Sequence, residues 1–407
     1  MKNERILVAG AGIAGLTLAY WLARDGFRPT VVERAASIRT GGQGVDIRDE
    51  AVDIVERMGL LSEIRAAATD VAGMRFVDNT DAELARIDMQ AVRDKYDSTE
   101  VEIMRGDLVR LLHEATSAAV EFRFGDSITA LGQDADGVTV TFENSPPERF
   151  DLVVGAEGLH SSVRRLAFGP ENEFVHFLGH YFAFGNADAA LGPDRWVTMH
   201  NPQPGSMAGI YRSGAHPQAK AYFMFRSPER EYDHRDRESA RQLLQEHFGV
   251  ESGWQVKELL AGALDDPELY FDALAQVRMD AWSKGRIVLV GDAAYCASPV
   301  SGAGAELAIV GAYRLAAELA AAAGDFASAF LRYERSHRPL VARKHRIGPN
   351  LRLMVPKTRL GMSVRNIIAR LPIVERLAAV ERLLAVRKPP GDQSFAPLST
   401  PFRRKTD

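Results

Sequence analysis

The period of the apolar positions changes along the chain, and each change marks an element. The run RILVA (residues 5–9) predicts a short buried strand, Gly10–Gly15 a turn, Leu16–Arg24 a helix, and Thr30–Glu33 a second strand. Together these predict a βαβ unit. Helical spacing recurs over residues 49–68 (DEAVDIVERMGLLSEIRAAA) and Gly106–Ala115. Between Val120 and Phe142, VEFRF and VTVTF alternate around the turn signal Asp136-Gly137 and predict short antiparallel strands, with another buried strand at Leu152–Val154.

From about Pro170 to Ala275 the texture becomes aromatic and turn-rich. HYFAFGN, RWVTMHN, SMAGIYRS and KAYFMFRS predict an antiparallel sheet with large side chains on one face. The first pattern resumes at GRIVLVGD, followed by an Ala-rich helix from about Glu306 to Ala323. After Phe326 the chain reads as helical, with Ile367, Leu371, Val374 and Leu377 at helical spacing and Pro372 in the first turn of a second helix. The predicted fold class is therefore α/β. A Rossmann-like domain is assembled from discontinuous segments (1–72, 96–170 and 276–325), with an antiparallel-sheet domain (73–95 and 171–275) and C-terminal helices (326–407).

Composition narrows this little. The chain has 407 residues, 46% of them hydrophobic, and a net charge of -4, as an ordinary globular enzyme has. Its single cysteine, Cys296, excludes an intrachain disulfide and makes a reducing cytoplasm the expected compartment. The opening MKNERILVAGAG lacks an export signal's apolar core, and no run approaches the roughly 18 apolar residues of a membrane span. Charge is unevenly placed. From Leu331 to Asp407 there are 18 Lys and Arg against 5 Asp and Glu, a local +13 that leaves -17 for residues 1–330. The expectation is a tail helix lying on an acidic body rather than a nucleic-acid or membrane patch. A monomer or weak dimer is expected.

The chemistry gathers in two stretches. GAGIAG follows a strand and opens a helix, and Glu33 stands at the end of the next strand, 18 residues after Gly15. Gly10 permits the tight turn, Gly12 lets the backbone approach a pyrophosphate at the helix N-terminus, and Gly15 allows close packing. Gly10, Ala11, Gly12, Gly15, Glu33 and Arg34 are the candidate residues for an ADP moiety, which NAD and FAD share. The second stretch, GDAAYCASPVSGAGAE, favours FAD. Asp292 suits the hydroxyls of a ribityl chain, which NAD lacks, and Pro299, Gly302, Gly304 and Ala305 form a helix entry whose N–H groups suit a flavin's pyrimidine edge.

The blocks GAGIAG…VVER, GGQGVDIRDEA, IMRGDLVRLL, DLVVGAEGLHSSVRR and GRIVLVGDAA…PVSGAGAELAIVGAYRLA together resemble the class A FAD-dependent monooxygenases of the para-hydroxybenzoate hydroxylase type. In texture they are closest to the tetracycline-inactivating monooxygenases, over about residues 3–350. The resemblance implies that Glu33 binds the adenosine ribose of FAD, Arg105 the ribityl and phosphate region, and Asp292 the ribityl chain. It also implies that Asp46 contacts FAD and that Arg39 helps hold NADPH near the flavin. NADPH would reduce FAD, O2 would add to give a flavin hydroperoxide, and an oxygen atom would pass to an electron-rich carbon. The flavin carries this chemistry, so no catalytic side chain is assigned.

Two departures from the family pattern stand out: Glu157 occupies the place of a customary Asp, and Glu306 that of a small or amide residue. Glu306 would either burden a negatively charged reduced flavin or point away as a first-turn acid. RTGGQ approaches an amine-oxidase stretch but ends in Gln43, and the four tryptophans are too scattered for a flavin halogenase. The ten histidines show no metal-ligand or Ser-His-Asp spacing. A pocket for a flat aromatic or polycyclic substrate is expected between the flavin and the aromatic sheet. Its candidate lining is Phe182, Phe184, Met207, Tyr211, Tyr222, Phe223 and Phe225, with Pro299 and Met207 preferred, although alternation lets only about half of them face it. Two rival readings are an oxidoreductase without oxygen insertion and a ligand-sequestering flavoprotein.

Overall fold

The computed structural model describes residues 3–88, 100–188, 190–216, 218–230, 232–233, 236–250, 253–346 and 350–369. A six-stranded sheet runs in the order Ser283–Lys284, Ile287–Leu289, Leu152–Gly155, Arg5–Ala9, Arg28–Glu33, Glu121–Phe124, with every neighbouring pair parallel except the first. Ile6, Leu7 and Val8 are all buried, as an enclosed parallel strand requires. The helix Ile13–Arg24 packs against Gly304–Ala321 and Arg105–Thr116.

Register decides where this sheet can bind. Ala9 stands opposite both Gly155 and Val32, and Gly155 opposite Leu289, so the turns that follow these strands open along one edge. The first strand is flanked by Arg28–Glu33 on one side and by the much later Leu152–Gly155 on the other. That reversal is the switch point at which open α/β sheets take their ligands.

A seven-stranded sheet runs in the order Tyr270–Val277, Val175–Asn186, Lys220–Arg226, Ser206–Tyr211, Trp196–His200, Gly73–Val77, Glu83–Asp88. It is antiparallel except where Trp196–His200 meets Gly73–Val77. Tyr181, Ala183, Phe223 and Phe225 form one of its faces, packed with Leu244 and Phe248 of the helix Arg237–Phe248 and with Leu259 and Ala263 of Val256–Asp265. The opposite face carries Phe182, Phe184, Met207, Tyr211, Tyr222 and Met224 in one cluster with Met104 and Val300. That face meets the segments that lead into Arg105 and follow Pro299.

The structure corrects several expectations. VEFRF does not pair with VTVTF: Glu121–Phe124 joins the parallel sheet beside Arg28–Glu33, and VTVTF pairs instead with Ile128–Gln133. The helix expected over residues 49–68 is two, Glu50–Arg57 and Leu61–Ala66, because Gly59 takes φ +78 and stops the first. The Arg237–Phe248 helix lies inside the segment read as strands. Its start signal is present, since Asp236 caps the N–H groups of Glu238 and Ser239. In the basic tail, Lys344 pairs with Glu306 and Arg332 with Glu318, whereas Arg365 lies over the Phe76 ring, 3.9 Å from its centroid. The expected helix at Pro372 lies outside the described residues.

Candidate functional site

The site is built on the turn after the first strand. Gly10 takes φ +103 and its back is pressed on Ala156, whose carbonyl oxygen would lie 2.6 Å from a Cβ there. A Cβ on Gly15 would overlap the Gly10 carbonyl oxygen. Gly12 differs: nothing lies within 4 Å of its Cβ position, and no side chain caps the helix it begins. The helix N-terminus therefore presents its N–H groups to open space, which suits a phosphate. Beside it, Glu33 accepts hydrogen bonds from Ala11 N and Ala35 N, both at 2.9 Å, which fixes its carboxylate against the turn.

On the other flank Gly291 begins the short helix Asp292–Tyr295. Asp292 is half-buried, and desolvation raises its pKa, against the pull of the Arg105 guanidinium and the Cys296 thiol. Arg105 opens its own helix and packs on the 40–43 loop, where a Cβ on Gly42 would lie 3.2 Å from its side chain. Asp46 forms an ion pair with Arg48, and both face Gly302, whose Cβ position is 3.6 Å from each. Gly304 has open space at its Cβ position, and no side chain caps the helix it starts. Gln43 Oε1 and Ser298 Oγ are buried without a hydrogen-bond partner among the described residues, whereas Arg48 Nε stands 3.9 Å from Glu100 in an ion pair. Ser298 also holds φ +76, a strained conformation for a residue with a side chain. Two uncapped helix N-termini, a half-buried carboxylate within the field of an arginine, and these unsatisfied polar atoms fit an elongated dinucleotide.

Most of the cofactor candidates thus come together, and some do not. Arg39 is exposed and has no hydrogen bond or ion pair among the described residues, and Arg34 is exposed at the rim. Pro299 is exposed at the start of a short turn, with Val300 reaching the aromatic cluster. Phe223 is a correction: alternation turns it to the far face, where its ring lies 4.8 Å from that of Phe248, and Phe225 shares that face. Three positions were missed. Arg48 is one, and Gly106, where a Cβ would overlap the Thr40 carbonyl oxygen, is another. The third is Glu102, which accepts a hydrogen bond from Tyr211 Oη at 2.9 Å and fixes the edge of the aromatic face. Each depends on a neighbour distant in sequence.

The two glutamates that depart from the family pattern take definite places. Glu157 accepts from Ser161 Oγ at 2.6 Å, Ser162 Oγ at 2.7 Å and Val163 N at 2.9 Å, so its extra methylene serves the start of the helix Ser162–Ala167. Glu306 is 1% exposed and stands 2.7 Å from Lys344 Nζ, off the line of a directed hydrogen bond. Space also assembles a Ser-His-Asp cluster that linear spacing did not show. His216 lies 3.5 Å from Ser213 Oγ and 3.0 Å from Asp107 Oδ2, but Ser213 donates its proton to Asp70 at 2.8 Å. The cluster is a clip between the sheets rather than a nucleophile.

A family model described as an FAD binding domain matches residues 4–345. Over 348 residues, 85% of this chain and 88% of that protein, the sequence is 40% identical to a flavin-dependent monooxygenase of Legionella longbeachae serogroup 1 (strain NSW150). The chain belongs to the FAD-binding monooxygenase family. This monooxygenase is also 43% identical over 341 residues to an uncharacterized protein of Mycobacterium tuberculosis (strain ATCC 25618 / H37Rv), covering 84% of this chain and 91% of that one. The crystal structure of the tetracycline destructase Tet(55) matches it with a TM-score of 0.76 and 36% identity, covering 91% of this chain and 96% of that one.

In this monooxygenase a half-buried charge network joins the segment after Leu152–Gly155 to the aromatic sheet. His160 lies 2.9 Å from Glu171 and 3.2 Å from Asp272, Tyr232 Oη donates to Asp272 at 2.8 Å, and Arg164 reaches Glu171 at 3.2 Å. Burial works against the charge of His160, but the Asp272 and Glu171 carboxylates outweigh it and hold the pKa at about 9. A folded pKa above the unfolded 6.5 stabilises fully below pH 6.5, and that stability is lost as pH rises through 9. The expected loss, discounted for the partial exposure of Glu171, is about 2 kcal/mol. Urea unfolding at pH 6 and pH 9.5 measures it, and His160→Gln should flatten the difference.

Proposed function

We propose that this monooxygenase uses NADPH and O2 to hydroxylate an aromatic or polycyclic small molecule of polyketide type, tetracycline-like compounds included. The observation that carries the reading is the aromatic face: Phe182, Phe184, Met207, Tyr211 and Tyr222 share one apolar cluster with Met104, which precedes Arg105, and with Val300 of the Pro299–Ala305 loop. A flat, oxidisable ring fits between such a face and a flavin. When bound, FAD supplies the electron and oxygen chemistry. The chain's own residues do the rest. The Gly12 turn and the Glu33 carboxylate hold the ADP half, Asp292 and Arg105 the ribityl and phosphate region, and the helix entry at Gly304 the flavin edge. The exposed Arg39 would be the residue that meets NADPH, a visiting reductant. The aromatic face orients the ring and keeps water out.

Tyr222 is the polar anchor in this reading. Its ring leans over Gly209, where a Cβ would come within 2.7 Å of it. Burial pushes the phenol's pKa up, so it stays a neutral donor, and it has no hydrogen-bond partner among the described residues. Tyr222→Phe should raise KM about tenfold while thermal stability stays unchanged, as loss of one substrate hydrogen bond requires. An equal KM in steady-state assays would remove Tyr222 from the substrate site.

The deciding experiment mixes FAD-loaded protein with NADPH in air and a panel of phenols and tetracyclines. Substrate-stimulated NADPH consumption with a product heavier by one oxygen atom is expected. NADPH turnover without oxygen incorporation would make the protein an oxidoreductase, and ligand binding without turnover a sequestering flavoprotein.

A further inference from the structure

The C-terminal end of the helix Phe326–Lys344 reaches both segments that flank the flavin site. Its last residue, Lys344, stands 2.7 Å from Glu306 and 3.9 Å from Asp49. The next residue, His345, is hydrogen-bonded through Nε2 to the Tyr295 carbonyl at 3.0 Å, and its own carbonyl accepts from Gln276 at 2.9 Å. Tyr295 closes the Asp292 helix, and Glu306 lies in the first turn of the helix that starts at Gly304. Glu306 is almost fully buried, which pushes its carboxyl pKa up; the Lys344 ammonium is the chief opposing influence, Asp49 adds to the rise, and Arg48 counters it. Without Lys344, this carboxylate would lose the chief partner that offsets its burial beside the flavin loop.

We propose that Lys344 is a positioning residue of the FAD site, acting through Glu306: the buried ion pair sets the net charge beside the flavin loop, and with it the preference of the site for oxidised or reduced FAD. The inference rests on the FAD reading of the Pro299–Ala305 loop. Reduction of a flavin adds negative charge, so an unpaired Glu306 disfavours the reduced form, and a neutral residue in its place favours it. The device belongs to this chain because Glu306 replaces an uncharged residue of the family pattern. The ammonium that answers it comes from a helix outside the nucleotide sheet.

The test measures FAD affinity by fluorescence titration and the two-electron midpoint potential by dye equilibration, on wild type, Lys344→Met, Lys344→Arg, Glu306→Gln and the Glu306→Gln/Lys344→Met double variant. Lys344→Met should weaken the binding of reduced relative to oxidised FAD about tenfold, a shift of about 30 mV to more negative potential for a two-electron couple. Glu306→Gln should shift it in the positive direction, Lys344→Arg should match wild type, and the double variant should return toward it. If Lys344→Met does not fold, as judged by circular dichroism, Glu306→Gln and the double variant decide. A wild-type potential in Glu306→Gln, or a double variant shifted as far as Glu306→Gln alone, would overturn the proposal. A wild type that binds no FAD would overturn the FAD reading itself, a separately visible outcome.

Discussion

Gly15→Ala should prevent stable folding, whereas Gly12→Val should leave a folded protein that no longer takes up FAD. The two glycines sit three residues apart in one turn, yet their surroundings are opposite. At Gly15 an added methyl would overlap the Gly10 carbonyl oxygen, and Gly10 cannot retreat because it is pressed on Ala156. Both obstacles are backbone in the centre of the sheet, so the cost should exceed about 4 kcal/mol, the range of severe core lesions. Gly12 has an extended conformation, φ -85 and ψ -174, that any residue adopts, and its side-chain position is empty to 4 Å. Valine there should cost under about 1 kcal/mol of apoprotein stability while filling the place of the pyrophosphate. FAD affinity should fall at least about 100-fold, equivalent to roughly 3 kcal/mol. Urea unfolding and fluorescence titration read the two effects separately. A Gly12→Val protein that binds FAD as well as wild type would remove the pyrophosphate from this turn.

Asp292→Ala should separate stability from function in the other direction. Burial already disfavours the Asp292 carboxylate, and the nearby Arg105 offsets only part of that cost. Its removal should therefore leave apoprotein stability within about 1 kcal/mol of wild type. With FAD present, the lost acceptor leaves ribityl hydroxyls unpaired in an enclosed site, and affinity should drop about 30- to 100-fold, near the upper limit for one hydrogen bond to a charged group. Melting temperatures with and without FAD test both halves. The FAD-induced rise should shrink strongly while the apoprotein value stays put. An unchanged rise would mean that Asp292 faces something other than the cofactor.

What the sequence disclosed and what it hid follow from the range of the interactions. The glycine turn, Glu33 and Asp292 were legible because each stands directly at a strand end, and parallel strands bring their ends to one edge. Arg48 and Gly106 were hidden because their meaning lies in Gly302 and Thr40, distant or unmarked in the chain. Phe223 shows a different limit. Alternation announced that Tyr222 and Phe223 face opposite ways, but the choice between them depends on where the Arg237–Phe248 helix packs, and that helix was itself unread. Likewise VEFRF has the right composition for a hairpin, yet the open edge of Arg28–Glu33 claims it. Glu306 was recognised as odd from its position alone, and only the return of Lys344 from another helix shows how its charge is met.

The parallel junction between Gly73–Val77 and Trp196–His200 has a consequence for exchanging parts among relatives. The sheet that bears the aromatic face is completed by two strands contributed from between pieces of the nucleotide sheet. A chimera that transplants only the later, continuous stretch would pair its Trp196–His200 strand with the other parent's counterpart of Gly73–Val77, so that the junction joins strands of different origin. Swapping that sheet as a whole therefore means exchanging two separate stretches of the gene at once.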